Sequence, residues 1–147
     1  MSFAISDLAE GDHDAWRPLW GGYCAFYEKD MPAAVTARTW ERLIDPQVPV
    51  WGRVIRLGGR IVGFAHHLTH VSTWQITPVC YLEDLFVAPE ARGTGAGRAL
   101  IDDLLSICEA KGWSELYWMT AEDNAKARRI YDHYDKPIGF VQYRLAL

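Results

Sequence analysis

The chain has 147 residues, half of them hydrophobic and 13% aromatic, with a formal net charge of −4 and a pI near 5.7. That length supports one α/β domain over residues 1–147 and is too short for two ordinary ones. The acidic balance argues against nucleic acid as the main partner, because no basic field exists to gather phosphates, and suits a small anionic ligand or a cationic substrate.

In chain order, Phe3 to Leu8 reads as a first strand. Asp12 is placed to cap a helix running to about Lys29, with Ala15, Trp16, Leu19, Trp20, Tyr23, Phe26 and Tyr27 at three- and four-residue intervals. That aromatic density leaves two uses open, core packing or the wall of a pocket. Thr36 is placed to cap a second helix that ends before Pro46. Trp51 to Leu57 and Arg60 to about Ser72 read as a hairpin turning at Gly58-Gly59. Val79 to Val87 is the next strand, and it carries two adjacent acids, Glu83 and Asp84. Strand alternation sends those acids to opposite faces, so only one of them is expected in any cleft, with Asp84 open instead to drawing in a cationic substrate from the other side of a bulged strand.

A glycine-rich loop then leads into a helix from about Gly95 to Lys111. Its inward residues are Leu100, Ile101, Leu104, Leu105 and Cys108, and Gly112 ends it. Ser114 to Thr120 follows as a strand entered by a helical crossover, hence parallel to 79–87. Residues 124–134 form a further helix and Gly139 to Leu147 a final strand.

The three cysteines Cys24, Cys80 and Cys108 match no zinc spacing and read as free thiols in a reducing, cytoplasmic setting. The N-terminus has acids early and no apolar core of signal-peptide length, and no run approaches the roughly 18 apolar residues of a membrane span. His66, His67 and His70 share one strand, but no acid or Cys completes a set in sequence, so no metal is expected.

The loop decides the ligand class. The nucleotide-triphosphate pattern needs Lys and then Ser or Thr after the last glycine, and here Arg98-Ala99 follow Gly97. The dinucleotide spacing fails from either Gly93 or Gly95, and 50 residues after Gly97 are too few for a second half of that fold. What is present is Arg-x-x-Gly-x-Gly, as Arg92, Gly95 and Gly97, preceded by Val87-x-Pro89. Small residues let backbone N–H groups approach a diphosphate at a helix N-terminus, with Arg92 and Arg98 adding charge.

This loop, followed by Asn-x-x-Ala-x-x-x-Tyr as Asn124, Ala127 and Tyr131, resembles the acetyl-CoA-dependent N-acetyltransferases of the GNAT superfamily. YLEDLFV (81–87), IVGF (61–64) and Trp74 resemble the diamine (spermidine/spermine) branch. The C-terminal LYWMTAEDNAKARRIYDHY resembles small histone-acetyltransferase-like members. The resemblance implies a mixed twisted sheet of about six to seven strands flanked by helices, with two parallel strands, 79–87 and 114–120, splayed to hold CoA.

It further implies roles for individual residues. The backbone of Leu85, Phe86 and Val87 would take the pantetheine arm, and Arg92, Gly93, Thr94, Gly95, Ala96, Gly97 and Arg98 the pyrophosphate. Asn124 and Ala127 would flank the arm, Asn124 serving also as a helix cap. Glu83 would act as base through a water, because an alkyl ammonium has no lone pair. Tyr131 would protonate or hydrogen-bond the departing CoA sulfur, with Tyr134 a weaker candidate. Tyr27, Glu28, Trp74, Glu83 and Asp84 would meet the amine. Cys80 has no neighbouring His in sequence to activate it, so direct transfer is expected. The acceptor is then a small-molecule primary amine, a polyamine or an amino-acid derivative. A protein lysine or N-terminal amine, or an acyl-CoA-binding module without turnover, stays open. A homodimer is the family expectation, with the final strand as an exchange element.

Overall fold

The computed structural model describes residues 2–147. Its sheet has five strands in sequence order, β1 (Phe3–Asp7), β2 (Val50–Leu57), β3 (Arg60–His70), β4 (Val79–Val87) and β5 (Glu115–Tyr117). The first four run antiparallel to their neighbours and β5 runs parallel to β4. Helices α1 (His13–Phe26) and α2 (Ala33–Ile44) precede β2, α3 (Ala96–Lys111) joins β4 to β5, and α4 (Ala125–Tyr131) follows β5. Gly58 and Gly59, both at positive φ, make the tight β2–β3 turn.

The sheet divides two cores. On one face, Leu100, Ile101, Leu104 and Cys108 of α3 pack on Ile55, Val62, Ala65, Cys80 and Leu82. Gly112 at φ 73 closes that helix in the left-handed conformation, as the sequence predicts. On the other face Trp16, Trp20 and Cys24 of α1 meet Leu43, Val54, Phe64 and Phe86.

Three expectations are corrected. The Asp12 carboxylate does not cap α1; it accepts from Arg56 at 2.8 Å and from the Ala9 N–H at 2.9 Å, tying the helix entrance to β2. Thr36 lies inside α2, which starts after Pro32, and its buried hydroxyl accepts from Trp20 Nε1 at 3.0 Å. Residues 139–147 form no strand, so the sheet has five strands in place of six to seven. Phe140, Val141, Tyr143, Leu145 and Leu147 are exposed and pair with no strand of the sheet.

His67 is a weak point built into the middle of the sheet. It is buried between Trp51 and Trp113, and its Nδ1 has no hydrogen-bond partner. Burial, reinforced by Arg53, holds its pKa down to about 4. The unfolded chain, with an ordinary His near 6.5, therefore binds the extra proton first. Stability is full above about pH 6.5 and falls as pH drops toward 4, by about 3 kcal/mol for this residue alone. Urea melts between pH 7.5 and 4.5 should show that slope, and His67→Phe should flatten it.

Candidate active site

Strands β4 and β5 pair only at Val79–Tyr81 with Glu115–Tyr117 and then part, leaving the far half of β4 open on that side. The Ala88 N–H donates to the Val62 carbonyl at 2.8 Å. The two-residue period of an antiparallel ladder then turns the polar groups of Phe86 to β3 and those of Leu85 and Val87 to the open edge. The Arg92 Nε accordingly donates to the Val87 carbonyl at 3.1 Å, and its guanidinium stands 5.6 Å from the Phe86 ring.

The loop after β4 leaves backbone uncovered. Gly93 (φ 79) and Gly95 (φ 89) are left-handed, and a Cβ at either would touch nothing within 4 Å. Thr94 folds inward and donates its hydroxyl proton to the Ala91 carbonyl at 2.6 Å. Gly95 is the N-cap of the 16-residue α3, so the N–H groups of Ala96, Gly97 and Arg98 have no acceptor in the helix. Open strand edge, slim loop and free helix N-terminus fit a long ligand ending in a diphosphate.

Across the opening, Asn124 caps α4. Its Oδ1 accepts from the Ala127 N–H, and its Nδ2 donates to Thr120 Oγ1, both at 3.3 Å. Tyr131, on the last turn of α4, packs edge-on to Trp118 with ring centroids 5.6 Å apart. It lines a narrow slot with Tyr23, Tyr27, Glu83, Leu85, Trp118 and Met119. Burial, with Tyr27 beside it, pushes its phenol up to about 12, so it keeps its proton at neutral pH. Tyr134 faces elsewhere, donating to Asp102 Oδ1 at 2.7 Å.

Behind the slot opens a cleft of about 520 Å³ between α1, α2 and the sheet. Both acids of β4 line it, which corrects the expectation that one would be turned away. In the β3–β4 register His66 faces Asp84 while His67 faces Leu82, so Glu83 is an extra residue in a bulge. A bulge reverses the alternation beyond it. Cys80 and Leu82 point to the α3 core before it and Leu85 and Val87 after it, which leaves Glu83 and Asp84 together on the α1 side. Partial loss of hydration in the cleft, then the neighbouring Asp84 charge, raises the Glu83 pKa above its usual range.

Of the predicted amine contacts, Tyr27, Glu83 and Asp84 reach the cleft. Trp74 is 83% exposed in the β3–β4 connection and Glu28 is an exposed left-handed residue after α1; neither lines it. Cys80 is buried against Cys108, and burial raises its thiol, so it is no nucleophile. The sequence missed His66, whose Nδ1 stands 2.9 Å from Asp84 Oδ2, although the two are 18 residues apart. Only the bulged register could have joined them. Among the described residues no three His, Cys, Asp or Glu side chains are grouped to hold a metal.

The model of the acetyltransferase (GNAT) family matches residues 13–140. The chain belongs to this family. It is an acyltransferase, and the family's acyl donor is acetyl-CoA. The D-amino-acid N-acetyltransferase HPA3 of Saccharomyces cerevisiae is 38% identical over 86% of this chain and 80% of its own. An uncharacterized N-acetyltransferase of Bacillus subtilis, YhfO, is 30% identical over 96% of this chain and 95% of its own. Among solved structures, AAC(6')-Iy in complex with a bisubstrate analogue of CoA superimposes with a TM-score of 0.85, covering 100% of this chain and 99% of that one at 18% identity. At that identity the match speaks to fold alone. No helix among the described residues is long and apolar enough to cross a membrane.

Proposed function

We propose that this GNAT acyltransferase moves an acetyl group from acetyl-CoA to the primary amine of a small, amino-acid-like molecule. The observation that carries the substrate class is the charge layout of the cleft. Glu83 and Asp84 line it on the sheet side, while Lys29, Arg42 and Arg144 line it as well. Carboxylates suit an ammonium and cations suit a carboxylate, so a zwitterion fits better than a polyamine, which would meet unpaired positive charge. The relationship to a D-amino-acid N-acetyltransferase supports the same reading.

The resident groups divide the work as follows. The open backbone groups of Leu85 and the Val87 N–H take the pantetheine amides, the Val87 carbonyl being held by Arg92. The loop from Arg92 to Arg98 takes the diphosphate on free N–H groups and arginine charge. Asn124 and Ala127 keep the facing helix start ordered and slim. The co-substrate supplies a thioester, which an amine lone pair opens at its carbonyl with departure of the sulfur. Asp84 holds the incoming ammonium, Glu83 accepts its proton through a water, and Tyr131 offers a phenolic proton to the sulfur. The three buried, unpaired cysteines suit a reducing compartment such as the cytoplasm.

The test is thiol release from acetyl-CoA with D- and L-amino acids, diamines and a lysine peptide. Amino acids should be the best acceptors. A preferred peptide would point to a protein acetyltransferase, and no release with any of them to a binding module.

Glu83→Gln is expected to lower kcat/KM by about a hundredfold, in the range of general-base losses. Its effect on stability has the opposite sign. A carboxyl with a raised folded pKa penalises the folded state once ionised, so the variant should melt slightly higher at neutral pH. The two proteins should converge below the ordinary Glu value, where both side chains are neutral. Solvent at the cleft mouth keeps the difference small, because Glu83 is exposed as a whole residue. Calorimetry at pH 7.5 and 4 reads it.

A homodimer completes the proposal. In it the exposed apolar segment 139–147 of one copy would add to the free edge of β5 of the other, which the exposure of the one and the edge position of the other support. Light scattering should give twice the chain mass, and a monomer would refute it.

A further inference from the structure

His66 on the cleft floor and Trp16 behind it are hydrogen-bonded in series to Asp84, and the acetyl transfer scheme uses neither. We infer that Trp16 and His66 form a hydrogen-bond relay that fixes the orientation of Asp84 as the ammonium-receiving carboxylate, which makes His66 a positioning residue for the amine substrate. The inference rests on the acetyltransfer reading for its kinetic consequence, but the relay itself can be observed without turnover.

The geometry leaves one arrangement. Trp16 Nε1 stands 3.0 Å from His66 Nε2, and an indole nitrogen only donates. His66 Nε2 is therefore the acceptor nitrogen of the ring, and Nδ1 carries the proton. That Nδ1–H donates to Asp84 Oδ2 at 2.9 Å. Trp16 is fully buried and His66 is 4% exposed, so water does not compete for either bond. The ring is held flat by Phe64, stacked at 4.4 Å between centroids, and lies 5.6 Å from Trp20. With one oxygen of Asp84 tied from behind and the Tyr23 hydroxyl beside the carboxylate, what is left of its accepting capacity lies in the cleft next to Tyr27 and Glu83. The Glu83 bulge is what brings Asp84 over His66, so one irregularity of the strand both pairs the acids and docks the second of them on the relay.

Nothing in the reaction requires a histidine on the cleft floor whose two ring nitrogens are both already hydrogen-bonded within the protein. A tryptophan–histidine pair contributes instead what a free carboxylate lacks: one rotamer, one tautomer and a fixed direction for its open lone pairs. Glu83, without such a support, is left free to take up and pass on a proton.

The experiment has a structural and a kinetic arm. In the wild-type protein, 15N resonances of His66 should show the tautomer protonated at Nδ1, and Trp16→Phe should shift the Nε2 resonance, because that nitrogen loses its donor, while Asp84 keeps the proton on Nδ1. In kinetics with the amine the wild type turns over best, His66→Leu should raise the amine KM about ten- to hundredfold, the worth of a buried hydrogen bond to a charge, and leave the KM for acetyl-CoA unchanged. His66→Asn, whose amide N–H can stand in for Nδ1–H, should recover most of the loss. His66→Leu should add nothing in an Asp84→Asn background, because the relay acts through that carboxylate. An Nε2-protonated tautomer in the wild type overturns the relay. So does an unchanged amine KM in His66→Leu, or equal losses in Asn and Leu variants with both KM values rising together. Should the Leu variant fail to fold, the wild-type tautomer and the Asn variant still decide. Absence of amine turnover in the wild type would instead refute the acetyltransfer reading and leave the tautomer result standing.

Discussion

Tyr131→Phe is expected to cut kcat by about a hundredfold or more, while the KM for acetyl-CoA stays within about twofold. Phenylalanine keeps the edge-on packing against Trp118 and the wall of the slot, so binding and fold should survive the change. What is lost is the one hydroxyl that α4 presents in the slot beside Glu83. A phenol pushed up to about 12 is a poor acid on its own account. A free thiol has a pKa of about 8.5, so complete transfer to a relaxed thiolate would be uphill by about 5 kcal/mol. The same dry surroundings that raise the phenol also raise a thiolate formed beside it, so the gap narrows where the sulfur leaves. In the proposed scheme the phenol would thus act as a hydrogen-bond donor that strengthens as negative charge develops, an interaction stronger in the transition state than in the ground state. This is why the loss should fall on kcat. Tyr134→Phe is the control: that hydroxyl serves Asp102, and its removal should cost little turnover. Rapid-mix turnover at saturating acetyl-CoA separates the two variants, and an unchanged kcat in Tyr131→Phe would remove Tyr131 from the mechanism.

What the sequence made legible was whatever depends on neighbours in the chain. The α3 helix could be read from the spacing of Leu100, Ile101, Leu104 and Cys108 and from Gly112, and it stands where expected. The loop from Arg92 to Arg98 could be read from its glycines, two of which prove left-handed. The parallel pairing of β5 followed from its helical crossover. What was illegible depends on register between distant strands. Opposite faces for Glu83 and Asp84 is the right deduction for a regular strand, and one extra residue opposite β3 reverses it. The acid that was found missing near His66 lies across that same bulge. Asp12 and Thr36 have the composition of helix caps, but Arg56 and Trp20 claim their oxygens from other elements. Residues 139–147 have strand composition, yet strand composition alone does not pair them with an edge, and within this chain they pair with none.

Gly95→Val should raise the KM for acetyl-CoA by about ten- to a hundredfold, with kcat at saturation and the amine KM little changed. Two costs combine. A β-branched residue at φ 89 sits in a left-handed conformation that L side chains resist, at about 1–2 kcal/mol. The side chain has room, since an added Cβ meets nothing within 4 Å, so the fold need not give way. That empty space, however, adjoins the N–H groups of Ala96, Gly97 and Arg98 at the start of α3. Isopropyl bulk there holds a diphosphate away from them, and each hydrogen bond to a charged group is worth about 1.5–3 kcal/mol. Gly58→Val separates the two costs. It carries a similar backbone penalty at φ 59, also in open space, but in the β2–β3 turn outside the cleft. Both variants should lose comparable stability in urea, and only Gly95→Val should lose affinity for the co-substrate. Equal KM values in the two would mean that the loop merely turns the chain into α3, and the diphosphate would have to be sought elsewhere on the protein.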